Sequence, residues 1–370
     1  MRIGPLLSFG IAVTTALHAC GQDAPRVLKH VDVFNESGRF AGWPANNGIW
    51  CWNDEIVVGF TLGYHKDKSG HTIDSDRPSG PQQARSLDGG TTWTIETPSY
   101  IGADGKERET SELTGRVDFT NSDFAARFRN DRFYYSLDRC RTWEGPFPLP
   151  TFGRPGLLAR TDYIVEDQHR LTAFVAAQKD GGGEGQPLCI RTTDGGQTWE
   201  LVGWIGRQPP EGYGYAIMPA TVALQGGSYL SIIRRGGLLN GKKRWWLESF
   251  VSPDDGRSWY MLDEPRIDNA GNPATLTRLN DGRIAMVYGW RRAPYGIRTR
   301  ISSDEGQTWS QETILRDSGR SWDLGYPRTI QRADGNLVTA YYFNDDSQVE
   351  RYIAATIWSP GSQSEATASN

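Results

Sequence analysis

The stretch that decides the fold is Thr192-Thr193-Asp194-Gly195-Gly196-Gln197-Thr198-Trp199, and four other segments share its form. The common pattern is Ser/Thr-x-Asp-x-Gly-x-Ser/Thr-Trp, with Cys140 in place of the Gly in the second copy. The five copies carry Asp88, Asp138, Asp194, Asp254 and Asp304, which are 50, 56, 60 and 50 positions apart. A repeat of this length that contains one tight turn is typical of a four-stranded propeller blade.

Each copy has the chemistry of a hairpin turn. The Asp carboxylate can accept hydrogen bonds from backbone N–H groups two residues on, and the Gly can adopt a positive φ without steric cost. The Trp can begin the next strand and bury its face between neighbouring sheets. The five aspartates are therefore predicted to be structural rather than catalytic. At Cys140 the turn is expected to be strained or of another type.

The rest of the chain predicts how the ring is completed. Strand-like runs precede every turn motif, and a sixth unit without the motif covers residues 325–358. The alternating run Arg26–Phe34 belongs to no unit of its own, so we expect it to form the outer strand of the last unit and to close the ring. The predicted fold is all-β: one six-bladed β-propeller of four-stranded antiparallel blades over residues 26–360. Seven blades would also fit the chain length.

Composition agrees with short strands joined by tight turns. The chain has 43 Gly, 20 Pro and 14 Trp among 370 residues. The net charge of −4 gives no indication of a nucleic-acid partner. Three Asp residues in the segment 67–76 match no known calcium loop, so neither a metal nor another cofactor is expected.

The two chain ends are predicted to lie outside the propeller. Residues 1–20 have the charge, apolar stretch and small residues of an export signal, so the protein is expected in the periplasm, the cell envelope or the extracellular space. Cys20 ends a segment that resembles a lipoprotein cleavage site, which leaves a lipid anchor and simple cleavage both open. Any membrane contact would be through that anchor. The polar tail 361–370 is predicted to be disordered.

Turn motifs of this kind are called Asp boxes, and five of them resemble the sialidase (neuraminidase) superfamily of BNR-repeat β-propellers. The resemblance covers nearly the whole chain after the predicted signal. It implies a glycoside hydrolase that releases a terminal acidic sugar, sialic acid or a relative, from a glycan. Sialidases hold the substrate carboxylate with three arginines and attack with a Tyr that has a Glu partner, while an Asp serves as acid/base.

The resemblance places the carboxylate-binding arginines at strand ends. Arg39 lies in a segment similar to the family's first arginine motif, and Arg234 ends a strand in the fourth unit. Arg292 is favoured from a basic cluster before the last box, and Arg328 could replace one of the others. A planar guanidinium forks onto a carboxylate with two hydrogen bonds, which is the chemistry such a site needs.

The same resemblance suggests Tyr326 as the nucleophile and Asp76 as the acid/base. One departure is plain: the segment Ala216–Thr221, where the Glu partner should stand, contains no carboxylate. Without a base a Tyr is a poor nucleophile near neutral pH.

The missing Glu leaves two other functions open. In the first, the propeller is a uronate-directed lyase or hydrolase, in which His65 and His71 supply the base. In the second, it binds a glycan without cleaving it. The leading prediction remains a sialidase-type hydrolase that acts on an acidic glycan.

Overall fold

The computed structural model describes residues 24–210, 213–263 and 265–362. The predicted export signal 1–20 and residues 363–370 of the predicted tail lie outside this part of the chain. In chain order the strands are β1 (Arg26–Phe34), β2 (Arg39–Gly42), β3 (Ile49–Trp52), β4 (Glu55–Tyr64), β5 (Gly80–Ser86), β6 (Thr94–Glu96), β7 (Ala125–Arg129), β8 (Arg132–Ser136), β9 (Glu144–Pro148), β10 (Tyr163–Val165), β11 (Leu171–Gln178), β12 (Glu184–Thr192), β13 (Glu200–Trp204), β14 (Tyr215–Ala223), β15 (Tyr229–Leu239), β16 (Lys242–Ser252), β17 (Tyr260–Met261), β18 (Ala274–Arg278), β19 (Ile284–Trp290), β20 (Tyr295–Ser302), β21 (Thr313–Gly319), β22 (Gly325–Gln331), β23 (Leu337–Phe343) and β24 (Tyr352–Ser359).

Helix is nearly absent from the described ranges. They contain two short 3-10 turns, Pro44–Asn46 and Gln225–Gly227. None of the described helical segments is long and apolar enough to span a membrane.

The strands form six antiparallel sheets, which confirms the predicted six-bladed propeller. Blades 3, 4 and 5 each contain four consecutive strands, β10–β13, β14–β17 and β18–β21. Two blades depart from the four-strand expectation. In blade 1, β4 pairs with both β2 and β3 before β5 and β6 follow, so that sheet has five strands. Blade 2 has the three strands β7–β9, because the segment 97–124 before β7 forms only an isolated bridge, between Ile101 and Glu107.

Blade 6 is completed from both ends of the chain, as the sequence predicts. Its order is β22–β23–β24–β1, and β1 pairs with β24 from Arg26 opposite Ser359 to Phe34 opposite Ile353. This pairing joins the outer edge of the last blade to the start of the first, so the ring closes.

All five Asp boxes form the same hydrogen-bonded turn. In the copy that begins at Thr192, Oγ1 of Thr192 donates to Oδ1 of Asp194 at 2.8 Å and accepts the Gly196 N–H at 2.8 Å. The Thr198 N–H donates to Oδ1 at 2.9 Å and its hydroxyl to Oδ2 at 2.6 Å. The carboxylate thus accepts hydrogen bonds from groups four residues on, rather than two residues on as the sequence predicts.

The Cys140 box keeps this turn and contains strain. Cys140 has a φ of 63°, and its N–H still donates to Oγ of Ser136 at 2.9 Å. A non-glycine residue at positive φ is disfavoured, so the turn at Cys140 is strained rather than of another type.

The boxes lie at one end of the propeller and the inner-strand starts lie at the other. Each box joins the last two strands of its blade, as Ser86–Trp93 joins β5 to β6, so in a four-stranded blade it follows the third strand. In an antiparallel blade, the third strand ends where the first strand also ends. Residues at the starts of inner strands and at the ends of second strands therefore gather at the opposite end, which we call the mouth.

Apolar side chains from several blades pack around the axis. One core cluster joins Val58 of blade 1, Ile217 of blade 4 and Tyr342 of blade 6, all of them buried. Burying one such side chain contributes about 1.5–3 kcal/mol. This packing fixes the backbone from which the polar residues of the mouth project.

Candidate active site at the mouth

Tyr326 begins the inner strand of blade 6 in an unusual conformation. Its φ is 49°, and the pairing of β22 with β23 shifts register between Gly325 and Arg328. The buried amide of Asn272, from blade 5, accepts the Tyr326 N–H at 3.0 Å and donates to the Leu324 carbonyl at 2.7 Å. A bulky residue at positive φ is held by its surroundings, and such outliers concentrate at functional sites.

Arg234 of blade 4 reaches Tyr326 directly. Its Nη1 donates to the phenol oxygen of Tyr326 at 3.1 Å, and its Nε donates to the Gly271 carbonyl at 2.6 Å. Its guanidinium also lies 5.0 Å from the centre of the Tyr215 ring. The second strand of blade 4 ends at the mouth, so a residue near its end meets the start of β22.

In the segment Ala216–Thr221, which contains no carboxylate, Met218 reaches Arg234. Its Sδ is 3.9 Å from Nη1 of Arg234, and Met218 has a φ of 55° beside a register shift in β14. Because a thioether is neutral, it leaves the charge of Arg234 uncompensated.

Two further arginines face the same place. The guanidinium carbon of Arg291, from blade 5, lies 5.3 Å from the centre of the Tyr326 ring, and its Nη2 donates to the Tyr342 hydroxyl at 2.9 Å. Arg160, just before β10 in blade 3, donates from Nε to the side chain of Asn46 at 2.9 Å. Burial lowers the pKa of Arg160, and its electrostatic partners include Tyr326 and Arg234.

The three guanidinium groups have no anionic partner among the described residues. Arg160, Arg234 and Arg291 form no ion pair within 4.0 Å there; they donate to carbonyl, amide and phenol oxygens. Glu184, exposed at the start of β12, interacts electrostatically with Arg160 and Arg234 without pairing with either. Since a cation partly removed from water favours an anionic neighbour, this arrangement suits an anionic ligand.

A second network adjoins the first through Tyr342. Nδ1 of His71 lies 2.6 Å from Oδ1 of Asp323, which is fully buried and also accepts the Tyr342 hydroxyl at 2.7 Å. The other oxygen of Asp323 accepts Nε of Arg351 at 3.0 Å. Burial raises the pKa of Asp323, but the hydrogen bonds and charges of His71, Tyr342 and Arg351 outweigh burial and lower it. Asp323 is therefore held as a carboxylate.

Two tryptophans flank the imidazole of His71. The centre of the Trp43 ring is 5.5 Å away in an edge-on arrangement, and that of Trp322 is 5.4 Å away. The ring is thus fixed by Asp323 on one nitrogen and by aromatic walls, while 39% of the side chain stays exposed. This is the geometry of a positioned acid or base.

The structure brings Tyr326, Arg234 and His71 together at the mouth, and it places three other predicted residues apart from Tyr326. Arg39 donates to the Gly63 carbonyl at 2.9 Å and lies over the Tyr64 ring, in a groove on blade 1 that does not include Tyr326. Arg292 points outward into an ion pair with Asp268, although its neighbour Arg291 points inward. Arg328 lies deeper, where it donates to the carbonyls of Ala45 and Thr161.

Asp76 and His65 also lie apart from Tyr326. Asp76 is exposed and pairs with Lys66 at 2.6 Å. His65 lines a groove of about 410 Å³ with Trp322 and Arg351. That groove is continuous with the His71 network, since both contain these two residues.

Four members of the site went unassigned by sequence reasoning: Arg160, Arg291, Asp323 and Tyr342. Arg291 was visible as a neighbour of Arg292, but no residue pattern says which of two adjacent arginines turns inward. Arg160 and Asp323 share one sequence signal. Each lies two or three residues before an inner strand, β10 or β22, and such positions face the mouth.

Comparison with known proteins gives a family match. Residues 116–339 match the model of the BNR repeat-like domain family. No curated protein matches the sequence.

Solved structures share the fold at low sequence identity. A protein of unknown function from Dyadobacter fermentans is 20% identical with a TM-score of 0.69, over 91% of this chain and 99% of that one. An alpha-L-arabinanase of Penicillium chrysogenum is 13% identical with a TM-score of 0.56, over 90% of this chain and 98% of that one. The NanB sialidase of Streptococcus pneumoniae is 11% identical with a TM-score of 0.54, over 89% and 68%. At these identities the similarity of the three proteins to this chain concerns the fold.

Proposed function

The chain belongs to the BNR repeat-like domain family, with a sialidase-like propeller, and we propose that it is an exo-acting glycoside hydrolase that releases a terminal acidic sugar from a glycan. One observation carries the proposal: Arg234 and Arg291 lie against Tyr326, Arg160 of a third blade interacts with it electrostatically, and none of the three has an ion-pair partner among the described residues. Glycan-active proteins of the same architecture support the carbohydrate class of the substrate.

The arginines would hold the sugar carboxylate. Arg234 and Arg291 approach Tyr326 from neighbouring blades, and Arg160 adds charge from the far side of the axis. Charge-assisted hydrogen bonds from guanidinium to carboxylate are among the strongest in proteins, and their planar geometry orients the bound ring. The anomeric carbon would thereby come to face the Tyr326 hydroxyl.

Tyr326 would form the covalent intermediate of a two-step hydrolysis. Its oxygen bonds to the anomeric carbon while the glycosidic C–O bond breaks, and water then cleaves the new bond. Negative charge that develops on the phenol oxygen is compensated by Arg234, which already donates to it at 3.1 Å. This contact stabilises the deprotonated phenol, which the missing Glu would otherwise favour by accepting the phenol proton.

The protons would pass through His71. The phenol proton must leave and the departing glycan oxygen must gain one, so the step needs a positioned group that can both accept and donate. The Asp323 contact fixes the His71 ring, and its other nitrogen is available for this exchange. Glu184 is the second described group with suitable chemistry near the arginines.

The His71–Asp323 contact also favours a second candidate, a uronate-directed lyase. There the arginines neutralise the uronate, His71 removes the proton on the carbon beside the carboxylate, and the bond to the neighbouring glycan oxygen breaks. A carbon–carbon double bond forms, and Tyr326 protonates the departing oxygen. No water or redox partner is consumed.

An assay on a panel of sialosides and uronosides, with products identified by mass, tests both candidates. Hydrolysis adds the mass of water, whereas elimination leaves a double bond that absorbs in the ultraviolet. Tyr326→Phe should lower kcat by roughly three orders of magnitude or more in either case. The control is Tyr260→Phe, because Tyr260 is exposed on the outer strand β17. Binding of these glycans without any product would refute both candidates and favour a glycan-binding propeller.

A further inference from the structure

The hairpin of β15 and β16 in blade 4 extends beyond the mouth. Both strands have 11 residues, and residues 238–245 are exposed throughout. The turn is formed by Asn240 and Gly241, with φ values of 52° and 72°. An Asn-Gly pair at positive φ is the tight hairpin turn that matches strand twist, so the extension is a regular hairpin. We call residues 236–245 the β15–β16 extension.

One face of the extension is continuous with the site. The register sets Arg234 opposite Leu247, Gly236 opposite Trp245, and Leu238 opposite Lys243. Alternate residues along a strand, and residues directly opposite on the partner strand, share a face of the sheet. Leu238, Lys243 and Trp245 therefore lie on the face that carries Arg234.

This face has the aromatic and polar groups that sugars contact. Trp245 is 38% exposed and packs against Gly271, whose carbonyl holds Arg234. The Tyr215 ring lies directly over Gly236, and the Tyr213 ring lies 4.6 Å from Nζ of Lys243. The phenol oxygens of Tyr213 and Tyr215 are buried and have no hydrogen-bond partner in the part of the chain that the structure describes. An orphan hydroxyl beside a ligand path indicates a partner supplied by the ligand.

The charge of the extension is of one sign. Lys242, Lys243 and Arg244 are consecutive and exposed, none of them forms an ion pair with the described residues, and residues 236–245 contain no carboxylate. The chain as a whole has a net charge of −4, so this cationic segment differs in sign from the overall charge.

We propose that the β15–β16 extension is a second binding site, which holds the continuing chain of a polyanionic polysaccharide whose end lies at Arg234. Trp245, Tyr213 and Tyr215 stack against sugar rings, and Lys243 binds a carboxylate on the same face. Lys242 and Arg244, on the opposite face of the hairpin, add long-range attraction for the polyanion. This inference rests on the proposed function, because it takes Arg234 to hold the terminal acidic sugar. It specifies the substrate as a polymer of acidic sugars rather than a single acidic sugar on a neutral glycan.

The test compares a polymer with its smallest fragment. In Lys242→Ser/Lys243→Ser/Arg244→Ser, kcat/KM on polygalacturonate or polysialic acid should fall roughly tenfold at low ionic strength, and added salt should shrink the difference. On the corresponding disaccharide it should be unchanged. The matched control is Arg26→Ser/Lys29→Ser/Lys106→Ser, which removes three exposed cations from blade 6 and from the segment before blade 2.

Trp245→Ala is a second variant that leaves the charges in place, and it should lower polymer turnover selectively as well. Equal losses on polymer and disaccharide, or no loss on the polymer, would overturn the proposal.

Direct binding separates this inference from the proposed function. If no glycan is turned over, binding of intact polygalacturonate and of its carboxyl-reduced, neutral form is measured by calorimetry. The proposal requires binding of the anionic polymer that the triple serine variant loses and the control variant keeps. Binding of phosphatidylglycerol vesicles with no binding of the polymer would refute it in favour of a membrane-surface role.

Discussion

Nδ1 of His71 lies 2.6 Å from Oδ1 of Asp323, although 252 positions separate the two residues in the chain. Asp323 is fully buried, and His71 is partly exposed to the mouth. A buried carboxylate that holds an accessible imidazole fixes which nitrogen faces a substrate. The pairing joins the β4–β5 loop of blade 1 to the start of blade 6, so it depends on closure of the ring.

Asp323→Asn should lower kcat by about 10²–10⁴ while changing KM little, because an amide no longer stabilises the charged imidazole or selects its tautomer. Steady-state kinetics across a pH range would measure both effects. Arg351→Gln is the control, since it removes another contact of Asp323 and leaves the His71 contact intact. Equal losses in the two variants, with unchanged pH profiles, would show that Asp323 acts only on the fold.

Arg291→Lys should raise KM for an acidic sugar roughly 10- to 100-fold, since a lysine cannot reproduce the forked hydrogen bonds of a guanidinium. The neighbouring Arg292→Lys should leave KM unchanged, because Arg292 points outward to Asp268. Kinetics on an acidic glycan and its carboxyl-reduced form would check this pair. The assignment of Arg291 fails if the reduced glycan is affected as strongly as the acidic one.

Asp194→Ala should lower stability by about 1–3 kcal/mol and leave kcat/KM unaltered. The carboxylate holds three groups of its turn, and unsatisfied turn donors are costly. The box lies at the end of the blade opposite Tyr326. Thermal unfolding and kinetics on the same preparation test both halves of the statement, and a stable variant that has lost activity would contradict it.

Asp162→Asn should stabilise the protein above neutral pH. Burial raises the pKa of Asp162 to about 7, against the opposing effects of Arg328 and Thr221. The unfolded chain ionises this group near 3.9, so the folded state binds more protons between about pH 4 and 7, and stability falls as pH rises through that window. A three-unit shift corresponds to at most about 4 kcal/mol.

The melting temperature of Asp162→Asn should exceed that of the parent protein at pH 8, and the two should converge near pH 4. A constant difference at every pH would mean that the substitution acts through packing instead.

The fold was predictable because its signals are local and repeated. Each Asp box specifies one turn through residues at most six positions apart, and five copies set the period of the blades. The same logic places β1, because an alternating strand with no blade of its own must pair with an open edge. Blade 2 escaped prediction, since nothing in the pattern shows that the segment 97–124 contributes no inner strand.

The site was less predictable because it depends on long-range geometry. Arg160, Arg234, Arg291 and Tyr326 come from four blades, and the direction of each side chain follows from strand register rather than from sequence motifs. Arg291 and Arg292 are adjacent in the chain and their side chains point to opposite sides, inward and outward. A pairing shift of one residue would exchange the two directions. The resemblance expects a Tyr at the start of the last blade, and Tyr326 opens an inner strand there, so it could be proposed from the sequence.

The pairing of β1 with β24 makes the first and last strands of the chain neighbours, with Arg26 opposite Ser359. A short peptide could link residue 359 to residue 26, with new chain termini placed in an exposed loop of another blade. Every strand contact would be preserved, and β24 and β1 would become a continuous hairpin. Deleting residues 26–34 would do the reverse: it would strip the outer edge from the sheet whose inner strand carries Tyr326, and catalysis would be lost through a segment some 300 positions away in the chain.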